Sequence, residues 1–73
     1  MPLSLSKTGV SFVVERIRGG ESAQKRLREL GFCEGETVAV LQNMHGALIV
    51  RVKDAKIAVD SSLALKIEGR ETV

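Results

Sequence analysis

The sequence predicts a small, mainly β domain in which about five short strands form a strongly bent barrel, with one short α-helical insertion at about residues 21–30. The chain has 73 residues, which is enough for a single domain over 1–73. Hydrophobic residues make up 44% of it and aromatic residues only 3%, so the core is expected to be mostly aliphatic. Its second half alternates hydrophobic and polar residues in short runs separated by turn residues, which is typical of strands joined by hairpins. A barrel also leaves few sheet edges exposed.

The first strand is predicted over residues 10–17, where the sequence is rich in β-branched and aromatic residues. Alternation places Val10, Phe12 and Val14 on one face of this strand. Gly19 and Gly20 then interrupt the pattern.

The helix is predicted from Glu21 to Leu30. Its apolar stripe has the spacing i, i+4 and i+7, and consists of Ala23, Leu27 and Leu30. Gly31 is expected to end the helix in the left-handed conformation, and Leu27 is expected to contact Phe32 across this stop.

The second half of the chain is predicted to add four strands. Residues 36–42 and 47–53 form a hairpin around a loop of about four residues at 43–46, followed by a strand at 56–59, a helical turn at 60–64 and a closing strand at 65–68. Residues 69–73 are expected to fray.

Charge and cysteine usage limit the classes of function. The net charge of +2 arises from 11 basic and 9 acidic residues, and no more than two basic residues are adjacent, whereas proteins that bind the phosphate backbone usually carry a denser basic stripe. The single cysteine, Cys33, indicates a reducing compartment and a cytoplasmic location. The sequence begins without an apolar leader and contains no run long enough to span a membrane, so direct membrane insertion is not expected.

Catalytic and metal-binding groups are sparse. Cys33 and His45 are too few ligands for a zinc site, although a site shared between two chains stays open. Neither a nucleophile elbow nor a Walker phosphate loop is present. We therefore expect a protein that is not an enzyme and has no cofactor.

The order of motifs resembles the ferrous iron transport protein A (FeoA) family. The resemblance runs from Gly19-Gly20 through Arg26-Leu27 and Leu30-Gly31-Phe32 to Gly35 and Val38. It continues at Ile57-Ala58-Val59, where Val59 replaces the usual leucine, and at Ala64 and Ile67. It covers about residues 9–68.

This resemblance implies an SH3-like barrel and a bacterial cytoplasmic accessory protein of ferrous iron uptake. It implies a partner, the membrane transporter FeoB with its cytoplasmic G-protein domain, and action by protein–protein contact at the inner membrane. We predict contact residues on the helix face, at the helix stop and at the hairpin tip: Lys25, Arg28, Glu29, Gly31, Phe32, Met44 and His45.

Two alternatives stay open from the sequence. The first is a small-barrel nucleic-acid-binding protein, permitted by the sequence pI of about 9.0. Binding of that kind weakens steeply with salt. The second concerns assembly, because a short barrel with an exposed edge strand can form a homo-oligomer.

Overall fold

A computed structural model of the protein describes residues 1–72 and contains one antiparallel sheet of five strands. The strands are β1 (Ser11–Ile17), β2 (Thr37–Met44), β3 (Ala47–Val52), β4 (Ala55–Val59) and β5 (Ile67–Thr72). The α-helices are α1 (Glu21–Glu29) and α2 (Ser61–Ala64), and a 3-10 helix spans Leu3–Leu5. Within the described residues, neither α-helix is long and apolar enough to cross a membrane.

The five strands surround one core that is mostly aliphatic and includes both phenylalanines. They are hydrogen-bonded in the order β4-β3-β2-β1-β5, and each contributes its inward-facing residues because side chains alternate between the two faces of a strand. The core includes Phe12, Val38, Val50, Val59 and Ile67, all no more than 2% exposed. The mainly β fold predicted from the sequence is confirmed.

The end of α1 is the Schellman motif expected from the sequence. The amide of Phe32 donates to the carbonyl oxygen of Leu27 at 3.0 Å, and the amide of Gly31 donates to that of Arg28 at 3.0 Å. Gly31 has φ +106°, a conformation that favours glycine because it has no Cβ. Leu27 and Phe32 are both completely buried, so the helix is anchored to the core at its stop.

The β2–β3 hairpin is tighter than predicted. Met44 pairs with Ala47, so only His45 and Gly46 lie in the turn, and the prediction of a four-residue loop was wrong. Both turn residues have positive φ, at 57° and 93°, as in the type I′ turn that suits the twist of a hairpin. The Asn43 Oδ1 atom accepts a hydrogen bond from the Gly46 amide at 2.8 Å and supports the turn.

The closing strand is longer than predicted. β5 continues to Thr72 and pairs with β1, with Val14 opposite Gly69 and Phe12 opposite Glu71. The expectation of fraying was therefore wrong for residues 69–72, while Val73 lies outside the described residues. Gly69 is buried beneath the Phe12 ring, where a side chain would have no space.

The N-terminal segment covers the outer edge of β5. The N-terminal ammonium of Met1 donates to the Gly69 carbonyl oxygen at 2.7 Å, and the Gly69 amide donates to the Met1 carbonyl oxygen at 2.9 Å. Pro2 forms an isolated bridge with Glu68. Leu3 then enters the core with no exposed surface, so the N-terminal residues cover this edge of the sheet at Glu68 and Gly69.

Candidate functional site

The predicted contact residues on the helix face lie in solvent. Lys25, Arg28 and Glu29 are all exposed on α1. The Arg28 guanidinium donates to Gln24 Oε1 at 3.0 Å, and the Gln24 amide in turn donates to the Gly19 carbonyl oxygen at 2.9 Å. These bonds give Arg28 a defined position on a helix face that carries both signs of charge.

The helix stop holds one residue that cannot act as predicted. Phe32 is completely buried, so its side chain is unavailable as an apolar anchor for a partner. The reason is the Schellman contact itself, which turns Phe32 into the core against Leu27. Gly31 is half-buried near Val52, whose methyl groups would lie 3.6 Å from a Cβ at this position. Gly31 keeps some exposed surface at the stop, and its role as a contact stays a prediction.

The hairpin tip carries exposed apolar residues that the sequence prediction only partly identified. Met44 is 59% exposed, and His45 lies beside a groove of about 510 Å³ that is also lined by Leu5 and Leu65. Leu5 is 68% exposed and Leu65 is 58% exposed. Met44 lines a different groove, on the outer face of the sheet. We call Leu5, His45 and Leu65, which share the first groove, together with the neighbouring Met44 the hairpin-tip surface. Large apolar side chains that are exposed together mark contact sites more often than isolated ones do.

Asn43 fixes the hairpin tip to the N-terminal segment. Its side-chain amide donates to the carbonyl oxygens of Ser4 and Ser6 at 3.0 and 2.6 Å. Its side-chain oxygen accepts from Gly46 within the turn. One half-buried side chain therefore holds Leu5 and the turn in a fixed relation, a role that depends on a contact about 40 residues away and has no local signature in the sequence.

Asp60 fixes the other side of the groove, where α2 precedes Leu65. Its carboxylate is the N-cap of α2 and accepts from the Leu63 amide at 2.9 Å and from the Ser62 hydroxyl at 2.8 Å. The hydrogen bond from the Leu63 amide is the main cause that lowers the pKa of Asp60 from the usual aspartate value. The sequence prediction had placed Leu65 in the closing strand, but this helix turn directs it outward.

The predicted contact residues do not form one continuous surface. Gly31 lies beside Val52 at the end of β3, whereas the turn of His45 and Gly46 directly precedes the beginning of β3. A strand of six residues spans roughly 20 Å. The helix stop and the hairpin tip are therefore at opposite ends of the sheet, which only the strand register reveals.

The same separation applies to the two candidate metal ligands. Cys33 is exposed and lies near Lys53, so it is at the helix-stop end of β3. His45 is at the other end. Over residues 1–72, no group of three or more histidine, cysteine or acidic residues is arranged to hold a metal ion. Beside Cys33, the Lys53 ammonium donates to Glu36 at 3.0 Å, and this hydrogen bond raises the pKa of Lys53.

Comparison with known proteins points to one family. A family model described as "FeoA domain" matches residues 1–71. A protein of Methanocaldococcus jannaschii named "Putative Fe(2+) transport protein A" is 35% identical over 66 residues, which is 90% of this chain and 80% of that protein.

Two solved structures support the same assignment. The crystal structure of an iron uptake regulatory protein, FeoA, has a TM-score of 0.89 and 30% identity, and the match covers 99% of this chain and 96% of that one. The zinc complex of Stenotrophomonas maltophilia FeoA, described as a prokaryotic SH3 domain protein, has a TM-score of 0.81 and 32% identity. That match covers 96% of this chain and 89% of the other. The fold of the present chain is therefore SH3-like.

Proposed function

This chain belongs to the FeoA family, and on that premise we propose that it is a cytoplasmic accessory protein of ferrous iron uptake. In this proposal it binds the cytoplasmic G domain of a FeoB-type membrane transporter and regulates transport by contact. It carries out no chemistry of its own, and it reaches the membrane only through the transporter.

The hairpin-tip surface is the observation that carries this proposal. Leu5, Met44 and Leu65 are each more than half exposed, which costs hydration free energy in the isolated protein and favours contact with an apolar patch on a partner. Asn43 and Asp60 hold the two sides of the groove in place. A surface that is already ordered loses less conformational entropy on binding.

The helix face supplies a second, polar contact. Arg28 is positioned by Gln24, and Lys25 and Glu29 project beside it. Charged residues at the rim of an interface mainly affect the association rate and partner choice. We therefore assign affinity to the hairpin-tip surface and orientation to the helix face.

The nucleic-acid alternative gains less support from the structure. Three basic side chains are neutralised by acidic neighbours, in the pairs Lys53–Glu36, Arg70–Glu15 and Arg18–Glu68. Such pairing reduces the positive potential that a phosphate backbone requires. Titration with duplex DNA and RNA at roughly 50 and 200 mM salt tests this alternative directly.

Calorimetric titration against the G domain of the transporter from the same organism tests the proposal. We expect saturable binding that differs between the GDP and GTP-analogue forms, as a regulator of the nucleotide cycle requires. Met44→Asp should weaken it by about tenfold or more, since interface anchors commonly contribute over 1 kcal/mol. Thr37→Asp, exposed at the other end of the same strand, is the matched control and should bind normally.

A second pair of variants separates orientation from affinity. Arg28→Glu should slow association more than it speeds dissociation, whereas Arg16→Glu, exposed on β1, should change neither rate. Equal binding of both nucleotide forms would indicate a structural subunit and contradict regulation of the cycle. Absence of binding both to the G domain and to the intact transporter in detergent would overturn the proposal.

A further inference from the structure

The outer edge of β4 faces no other strand in the part of the chain that the structure describes. β4 pairs only with β3, with Val52 opposite Ala55 and Leu48 opposite Val59. The two-residue turn at Lys53 and Asp54 makes Val52 and Ala55 a hydrogen-bonded pair, and such pairs alternate along an antiparallel ladder. The amide and carbonyl groups of Lys56 and Ala58 therefore point away from β3, toward solvent.

Two like charges lie directly opposite each other beside this edge. Arg51 of β3 is opposite Lys56 of β4, and both side chains are exposed on the outer face of the sheet. Arg51 and Lys56 form a non-hydrogen-bonded pair, in which the two Cα atoms are about 4.5 Å apart. Like charges directly opposite each other in a sheet are destabilising. Among residues 1–72, no salt bridge to an acidic side chain relieves either charge.

An apolar groove continues from this basic pair along the same face. It measures about 370 Å³ and is lined by Gln42, Met44, Ala47, Ile49 and Ala58 among others. Ala58 lies opposite Ile49, so the groove begins two residues beyond Lys56 along β4. A strand bound at this edge could therefore place an apolar side chain beside Ala58 and an acidic side chain beside Lys56.

From these three observations we propose that the β4 edge binds an extended acidic segment of a partner protein as an added antiparallel strand. The segment carries an apolar residue opposite Ala58 and, two residues later, Asp or Glu opposite Lys56. Main-chain hydrogen bonds supply affinity in this mode of recognition and alternate side chains supply specificity. This β4 edge shares Met44 with the hairpin-tip surface and no residue with the helix face, and the inference does not rest on the transporter as the partner.

Charge also decides against a second copy of this chain as the occupant. A lysine on an edge strand, such as Lys56 on β4, opposes pairing between identical strands. Two copies of β4 would bring four basic side chains together, from Arg51 and Lys56 of each copy. A strand with an acidic residue would instead neutralise part of the positive charge of Arg51 and Lys56.

A synthetic peptide provides the test, with acetyl-Ser-Thr-Thr-Ile-Val-Glu-Thr-Thr-Ser-amide as the probe and its Glu-to-Lys counterpart as the control. In NMR titrations the acidic peptide should shift the amide signals of Lys56 and Ala58 most. At saturation, hydrogen exchange at both amides should slow about tenfold, since each then donates within a ladder. The lysine peptide should bind more weakly.

Charge reversal and edge blocking make the test specific. Lys56→Glu should weaken the acidic peptide roughly fivefold and strengthen the lysine peptide by a similar factor. Ala58→Pro removes an outward-pointing amide without touching the β3–β4 ladder, and should abolish binding of both peptides. If that variant does not fold, the opposite effects of Lys56→Glu on the acidic and the lysine peptide still test the inference.

Three results would overturn the inference. One is unchanged Lys56 and Ala58 signals at 2 mM acidic peptide, roughly the concentration at which most of the protein is bound if the Kd is near 1 mM. Another is the largest shifts appearing on β5 or α1. The third is a dimer in sedimentation that Ala58→Pro dissociates, because the occupant would then be a second copy.

Discussion

The two edges of the sheet are treated in opposite ways. On β5, the chain's own N-terminal residues supply hydrogen bonds to Gly69 in both directions, and Leu3 fills the core behind them. On β4, the outward backbone groups of Lys56 and Ala58 have no partner among residues 1–72, and they lie next to the basic pair of Arg51 and Lys56. The β5 edge contributes to stability, whereas charge on the β4 edge opposes aggregation and leaves that edge free to bind a partner strand. Substitutions at the first edge should therefore reduce stability, and those at the second should affect only binding.

The largest effect should come from Gly69→Ala, at the closed edge. The new Cβ would overlap the backbone oxygen of Val13 and lie 2.7 Å from the Phe12 ring, so β1 and β5 would have to separate. We expect a loss of about 3 kcal/mol in the free energy of unfolding, measured by urea denaturation.

Gly20→Ala is the matched control for that experiment. A Cβ at Gly20 would meet no atom within 4 Å, and its φ of −77° is accessible to alanine. The cost there should stay below about 1 kcal/mol, mainly from the weaker N-cap. A similar loss in both variants would show that β5 is not tightly packed against β1.

Local features of the fold could be predicted from the sequence, but the strand at the β5 edge could not. The Schellman stop followed from local spacing, because Leu27, Gly31 and Phe32 lie within one turn of chain. By contrast, the segment from Gly69 to Glu71 has no β-branched residues and was predicted to fray. Its strand conformation comes from pairing with β1, more than 50 residues earlier, since strand formation depends strongly on context.

The candidate site shows the same limit. Met44 and His45 were predicted as contacts because a hairpin tip projects from a small barrel. Leu5 and Leu65 were missed because their exposure depends on the 3-10 helix and on α2 meeting beside the turn. Phe32 was misassigned as a contact because its burial depends on the core behind the helix stop.

The second largest effect should come from Asn43→Ala, which releases the N-terminal segment that closes β5. The variant loses the bonds to the Ser4 and Ser6 carbonyl oxygens and the one from Gly46. Because a net hydrogen bond contributes about 1 kcal/mol and partly buried acceptors are left unsatisfied, we expect a loss of about 2 kcal/mol. Hydrogen exchange should show faster exchange at the Gly69 amide.

Asn43→Asp separates the two halves of this contact. It keeps an acceptor for Gly46 but places a carboxylate near two carbonyl oxygens, so at neutral pH it should destabilise at least as much as alanine. If Asn43→Asp were as stable as the wild type, the turn alone would account for the effect and the N-terminal anchor would contribute nothing.

The smallest effect should come from Ala58→Pro, at the open edge. Proline removes one amide hydrogen, and at Ala58 that hydrogen points to solvent, so the free energy of unfolding should change by less than about 1 kcal/mol. Ile57→Pro, one residue earlier, removes a donor to Val50 within the ladder and should cost about 3 kcal/mol. In the wild type, the amides of Lys56 and Ala58 should exchange with solvent much faster than that of Gly69. Equal costs for the two proline variants would mean that the β4 edge is occupied in the free protein, and the difference between the two edges would disappear.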